Sequence, residues 1–135
     1  MAERSHTPTY DVAILGGGLV GSTLALALAR HGLCVALIDR LAEEVRADPA
    51  FDGRAYAVAP GSANLLRALG LWGDVADHAE TVRKITVTDT MQAPVSPALL
   101  SFDPAEAGQS ELGWIVEDRW LRNAVLRALD GSGVD

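Results

Sequence analysis

Three glycines with a fixed spacing, Gly16, Gly18 and Gly21, are the residues best suited to chemistry in this sequence. The first glycine allows a tight turn, the second lets a phosphate approach the backbone, and the third permits close packing of a helix on a strand. The spacing therefore predicts a turn that binds the pyrophosphate of a dinucleotide, at a helix start whose amides, those of Leu19 and Val20 included, face the anion.

An acid follows the last of these glycines by eighteen residues, at the end of the next apolar run. The carboxylate of Asp39 is suited to accept hydrogen bonds from both hydroxyls of an adenosine ribose. A 2′-phosphate about 4 Å away would be repelled at a cost of ~1–4 kcal/mol, so the prediction disfavours NADP and leaves NAD and FAD. Arg40, directly after this acid, is a further candidate for cofactor binding.

A strand, a helix and a second strand must position these residues. The apolar run 10–15 predicts a strand buried on both faces, residues 19–31 a helix, and residues 33–38 a second strand. This order predicts a crossover with parallel strands. Gly21, Ala25 and Ala29 recur every four residues and predict a helix face that packs close to the sheet.

The second half of the chain departs from a run of parallel strands. Residues 82–90 alternate as in a strand with one wet face, and residues 98–102 form another short apolar run. The segment 91–97 between them is too short for a helical crossover, so the two strands are expected to pair antiparallel. A helix is expected from Pro60 to about Leu69, with Leu65, Leu66 and Leu69 buried. A short strand is expected over 114–116. A final helix is expected from Asp118, with an apolar face formed by Leu121, Ala124, Val125, Ala128 and Leu129.

Composition narrows the function classes further. The 135 residues are 49% hydrophobic and 21% charged, as in a globular domain, and the net charge of −7 argues against nucleic acid as a partner. Cys34 is the single cysteine, which excludes a disulfide framework and fits a reducing compartment. Its side chain is expected to be an apolar filler in a buried strand. No metal site or catalytic residue is predicted. Residues 1–9 are expected to form a disordered tail, with no secretory signal and no transmembrane segment in the chain.

Four blocks of sequence resemble one enzyme family in order and approximate spacing. The chain is similar to the FAD-dependent aromatic hydroxylases of ubiquinone biosynthesis, and the blocks are GGGLVG (16–21), FDGRAYAV (51–58), LRALGLW (66–72) and LGWIVE (112–117). The resemblance implies an α/β, Rossmann-like FAD/NAD(P)-binding fold with a parallel βαβ core and an added antiparallel strand pair. It assigns residues 10–135 to the N-terminal part of the FAD-binding domain.

The resemblance also implies roles for individual residues. Gly16, Gly18, Gly21 and Asp39 would contact the ADP part of FAD. Arg54, in the Asp-Gly-Arg block, would lie near the cofactor, and Arg119 would lie at a helix start directed towards the flavin. As a bare residue, Arg54 is better explained by a solvated surface position, and the block makes the two explanations equal. For Arg119, an ordinary charge at a helix start is the better explanation. Trp72 and Trp114 are expected in the core rather than as a stacking platform.

The implied activity is that of a flavin monooxygenase which uses NAD(P)H and O2 to hydroxylate a polyprenyl phenol. Family members carry a second FAD-binding segment and a substrate domain, which are not expected in these 135 residues. The chain alone is therefore expected to bind FAD weakly or not at all and to be inactive. The expected location is cytoplasmic, with peripheral contact at the inner face of the membrane. An NAD-linked oxidoreductase and a non-catalytic fragment that retains no flavin remain the alternatives, and parallel pairing of residues 82–89 would favour the first.

Overall fold

The computed structural model describes residues 8–89 and 98–135. Residues 1–7, most of the tail expected at 1–9, lie outside this description. The chain forms two compact units, one comprising the residues up to Ala50 with Arg119–Asp135 and the other Phe51–Asp118. No helix in the described residues combines the length and apolarity needed to span a bilayer.

The first unit contains the expected strand, helix and strand. They are β1 (Val12–Leu15), α1 (Leu19–Arg30) and β2 (Val35–Ile38). β1 and β2 pair in parallel, with Val12 opposite Val35 and Leu15 opposite Ile38. The predicted βαβ unit is therefore confirmed, although each strand begins two residues later than expected.

The small-residue face of α1 packs as predicted. A Cβ at Gly21 would collide with the carbonyl oxygen of Gly16 and would stand 3.4 Å from the Cγ2 of Ile14 in β1. One turn later Ala25 is fully buried, beside Ser22 and Leu26. The third glycine thus permits the close approach of helix and strand that its spacing predicts.

A short helix and a long C-terminal helix complete the first unit. They are α2 (Glu43–Arg46) and α4 (Asp118–Leu129), of which Asp118 belongs to the second unit. Leu121, Ala124 and Val125 are buried as expected, and Leu126 is buried in addition. At the chain end, Asp135 donates its N–H to Val35 O at 3.0 Å and accepts the N–H of Leu37 at 2.7 Å, so it lies alongside β2.

Two expectations for the first unit are wrong. β1 is not buried on both faces: its residues alternate between half-buried and exposed, and Ile14, on the half-buried face, lies against Gly21 of α1. Cys34 is exposed rather than buried, and it precedes β2 instead of lying within it.

The second unit contains two separate antiparallel sheets. In the first, the strand order is β3 (Ala55–Val58), β7 (Gly113–Glu117) and β4 (Ala79–Val82). In the second, β5 (Ile85–Thr88) pairs with β6 (Ala98–Phe102). The predicted antiparallel pairing is confirmed, but the single strand expected over 82–90 is two strands in different sheets, separated at Arg83 and Lys84. One face of this strand was expected to be buried and the other exposed, but all four residues of β5 are exposed.

Helix α3 (Pro60–Ala68) buries a different set of apolar residues from the predicted set. Ala63, Leu66 and Leu69 are buried, whereas Leu65 is exposed. The three buried residues stand three positions apart and share one helix face, and Leu65 points about 100° away from Leu66. The prediction that Leu65 is buried is therefore wrong.

Replacing Gly21 by alanine is expected to lower the free energy of unfolding by about 1–3 kcal/mol, because the added methyl group meets backbone that cannot rotate away. Gly18→Ala is the matched control, since a Cβ at Gly18 meets nothing within 4 Å and Gly18 has a negative φ. Urea unfolding followed by circular dichroism measures both. Equal midpoints for the two variants would contradict the close approach.

Candidate functional site

The glycine-rich turn joins the carboxyl end of β1 to the start of α1. Gly16 has a φ of 107°, a conformation that favours glycine, and donates its N–H to Ile38 O at 2.7 Å. Gly17 is buried, whereas Gly16 and Gly18 are exposed. A Cβ at Gly16 or Gly18 would meet no atom within 4 Å, so open space lies over both positions.

The start of α1 offers backbone donors towards this open space. Gly18 is the N-cap, no side chain caps the helix, and its first turn carries no acid. The N–H groups of the first helical residues, which include Leu19 and Val20, have no intrahelical acceptor by helix geometry. Such a terminus attracts an anion through its amides and its dipole. The side chain of Val20 is 81% exposed, and that of Leu15 before the turn is 82% exposed.

Asp39 lies directly after β2 and contacts the turn. Its Oδ2 accepts the N–H of Gly17 at 2.5 Å, and its Oδ1 accepts the N–H of Leu41 at 2.8 Å. These two bonds, the one from Leu41 first, lower the pKa of Asp39 below its usual value, and the charges of Arg46 and Arg40 lower it further. Because each carboxylate oxygen can accept more than one hydrogen bond, Asp39 keeps the capacity to accept from ribose hydroxyls.

Arg46 is a residue of this site that sequence reasoning missed. Its Nη1 donates to Gly17 O at 3.1 Å, and the hydroxyl of Ser22 donates to the same oxygen at 2.9 Å, so both polar groups of Gly17 are engaged. Arg122 in turn donates to Arg46 O at 2.5 Å and to Asp48 O at 3.2 Å. Arg46 stands in a polar segment without periodicity, so no pattern in the sequence could identify it.

Arg40 and Arg119, the two arginines of this unit that were predicted to bind the cofactor, have different surroundings. Arg40 is exposed, and its charge acts on Asp39. Arg119 donates to Pro49 O at 3.4 Å, and its guanidinium lies 5.0 Å from the centre of the Trp120 ring. Contact of either arginine with a cofactor stays a prediction.

Arg54 belongs to the second unit, where two acids hold it. Its Nε and Nη2 donate to Asp52 Oδ2 at 2.8 and 2.5 Å, and Nη2 also lies 3.1 Å from Asp118 Oδ2. The backbone N–H of Asp118 donates to Arg54 O at 3.0 Å. The hydrogen bond to Asp52 and then the charge of Asp118 raise the pKa of Arg54. Its predicted contact with the cofactor is not tested by these bonds.

The tryptophans of the second unit pack against each other. The rings of Trp72 and Trp114 are 4.9 Å apart in an edge-to-face arrangement, and the guanidinium of Arg67 lies 4.8 and 5.1 Å from their centres. Trp114 is buried and Trp72 is half-buried. The prediction of a core position is confirmed for Trp114, whereas Trp72 is only partly buried.

The first unit fits the ADP part of a flavin dinucleotide. Open backbone at Gly16 and Gly18 leaves room for a pyrophosphate, and the uncapped start of α1 supplies donors to it. Asp39, an ionised acceptor fixed beside the turn, is suited to a ribose without a 2′-phosphate. The donor and acceptor set therefore matches the group that the glycine spacing predicts.

Comparisons with curated proteins found relatives with hydroxylase names. The chain is 41% identical over 119 residues to the ubiquinone hydroxylase UbiL of Rhodospirillum rubrum, covering 88% of this chain and 27% of that protein. It is 37% identical over 129 residues to the 3-demethoxyubiquinol 3-hydroxylase of Escherichia coli, covering 93% of this chain and 31% of that protein. The chain thus spans less than a third of the length of either relative.

Comparison with solved structures shows the same fold. The structure of pqsL, a probable FAD-dependent monooxygenase from Pseudomonas aeruginosa, matches 93% of this chain and 31% of its own with a TM-score of 0.70 at 22% identity. The family model described as the FAD binding domain matches residues 9–123. Because that match includes the glycine-rich turn, Asp39 and most of the remaining chain, this protein belongs to the FAD binding domain family, and its cofactor is FAD.

Proposed function

We propose that this chain holds the ADP part of FAD in a monooxygenase that hydroxylates a polyprenyl phenol during ubiquinone biosynthesis. The observation that carries the proposal is the hydrogen bond from Gly17 to Asp39, which fixes a ribose acceptor beside an open, uncapped helix start. The names of the two relatives, a ubiquinone hydroxylase and a 3-demethoxyubiquinol 3-hydroxylase, support the proposal of a role in ubiquinone biosynthesis. FAD, when bound, supplies the redox chemistry, and NAD(P)H and O2 are the proposed co-substrates.

The residues of the chain would bind and orient the cofactor. Backbone amides at Gly18, Leu19 and Val20 would donate to the pyrophosphate, whose negative charge the dipole of α1 favours. Asp39 would accept from the ribose hydroxyls. Arg40, Arg54 and Arg119 are proposed as further contacts, since a guanidinium can hold a phosphate through paired donors.

The antiparallel pairing of β5 with β6 supports FAD over the NAD-linked alternative. A nicotinamide dehydrogenase would be expected to continue with a parallel strand at this point of the chain. We further propose a cytoplasmic location with peripheral contact at the inner face of the membrane, because a polyprenyl substrate partitions into the bilayer.

The proposal is tested first on the chain itself. ADP added to the isotope-labelled chain should shift the amide resonances of Gly18, Leu19 and Val20, and unlabelled FAD should produce the same shifts. For the whole protein, a bound flavin and oxygen-dependent hydroxylation of a polyprenyl phenol are the expected readouts. A chain that gives no ADP-dependent shifts at millimolar ligand would contradict the proposal.

Gly18→Val is expected to weaken ADP binding by at least about tenfold, because the new side chain occupies the space over the turn and displaces a charged hydrogen bond. The unfolding midpoint should change little, since a Cβ at Gly18 meets no protein atom within 4 Å. Calorimetry measures the affinity and urea unfolding the stability. Gly61→Ala in α3, also free of contacts at the added Cβ, is the control and should bind ADP normally.

The lowered pKa of Asp39 predicts a direction for the pH dependence of stability. A carboxyl group with a folded pKa below its unfolded value of about 3.9 stabilises the fold above that value, and this contribution is lost as pH falls through the folded pKa. Asp39→Asn should therefore be less stable than the unmodified chain near neutral pH, and the difference should shrink below the ordinary carboxyl pKa. Urea midpoints of both chains, measured from neutral pH to below the ordinary carboxyl pKa, test this prediction. A difference in stability between the two chains that does not depend on pH would contradict it.

A further inference from the structure

We propose that Arg46 is a positioning residue for the cofactor turn, which holds the carbonyl group of Gly17 beside Asp39 and thereby sets the affinity for the ADP part of FAD. This inference rests on the proposed function. Arg46 lies outside the glycine motif and outside the Asp-Gly-Arg block, seven residues beyond Asp39.

The contacts of Gly17 are the first support. Its N–H donates to the Asp39 carboxylate, and its carbonyl accepts from Arg46 Nη1 at 3.1 Å and from the hydroxyl of Ser22 at 2.9 Å. An anion and a cation therefore hold the two polar groups of one residue, immediately before the N-cap of α1. Fixing the backbone of one residue costs roughly 1–2 kcal/mol, and glycine has more freedom to lose than other residues. A turn that is fixed before the ligand arrives spares the ligand that cost.

The anchoring of Arg46 is the second support. Its carbonyl accepts from Arg122 of α4, which also holds the carbonyl of Asp48. Arg46 lines a cavity of about 260 Å³ together with four apolar residues and two acids, and its Nη1 reaches Gly17. The other lining residues are Leu37, Leu126, Leu129, Val134, Asp130 and Asp135. The C-terminal helix thus fixes the segment that delivers the guanidinium to the turn.

The charge of Arg46 is the third support. It acts on Asp39 together with the charge of Arg40, and so offsets the negative charge of the carboxylate where a pyrophosphate must approach. The buried Nε of Arg46 finds no acceptor among the described residues. Leaving a buried donor unsatisfied is costly, which argues that the position of this guanidinium serves more than stability.

The test compares Arg46→Gln, which removes the charge, with Arg46→Lys, which keeps the charge but loses the planar fork. Arg30→Gln at the far end of α1 is the matched control. ADP affinity is measured by calorimetry and by amide shifts of the labelled chain. We expect Arg46→Gln to bind ADP about tenfold more weakly, Arg46→Lys to be intermediate, and Arg30→Gln to match the unmodified chain.

The amide resonance of Gly17 supplies a second readout that needs no ligand. It should titrate with Asp39, and its midpoint should rise in Arg46→Gln because one of the two cations facing Asp39, Arg46 and Arg40, is lost. A variant that lost only packing would leave this midpoint unchanged. Should Arg46→Gln fail to fold, Arg46→Lys decides the question alone.

The outcomes separate this inference from the proposed function. An unmodified chain that binds no ADP refutes the proposed function and, with it, the effect of Arg46 on affinity. A chain that binds ADP equally well with Arg46, lysine or glutamine at this position retains the proposed function and overturns the inference. An unchanged Gly17 midpoint in Arg46→Gln overturns the electrostatic action of Arg46 on Asp39.

Discussion

The parallel pairing of β1 with β2 is the constraint on which the candidate site depends. Parallel strands end at the same edge of a sheet, so the turn after Leu15 and the acid after Ile38 must meet there. The N–H of Gly16 donates to Ile38 O and carries the pairing one step past the last strand residues. A slip of one residue in this pairing would turn every side chain of the strand to the other face and remove Asp39 from Gly17.

Local sequence patterns predicted the part of the site formed by the ends of β1 and β2. The glycine spacing and the acid at the end of the second apolar run required the turn, the helix start and Asp39, and the structure contains all three. Arg46 could not be found in this way. Its contact with Gly17 depends on the path of a polar segment, on the single turn of α2, and on Arg122 from a helix more than seventy residues later.

The second unit was predicted less completely, for physical reasons. β4 places Glu80 and Thr81 between its two apolar residues, and three of the four residues of β3 are exposed, so neither strand combines an apolar run with a buried face. Arg54 was identified by resemblance, but the two acids that hold it are not equivalent. The side chain of Asp52 is 40% exposed, whereas that of Asp118 is 3% exposed, so the contact with Asp118 is less screened by solvent. The sequence indicated Asp118 as a helix start and gave no sign of this ion pair.

The exposure of Cys34 makes the chain suitable for spectroscopic labelling. It is the single cysteine of the sequence, so a thiol-reactive dye would attach at one position. Cys34 precedes β2 and Asp39 follows it, which places the label roughly 16 Å from the acid along an extended strand. A fluorophore there would be close enough for energy transfer to a coloured ligand in the turn, yet at the opposite end of the strand from the residues that would hold that ligand.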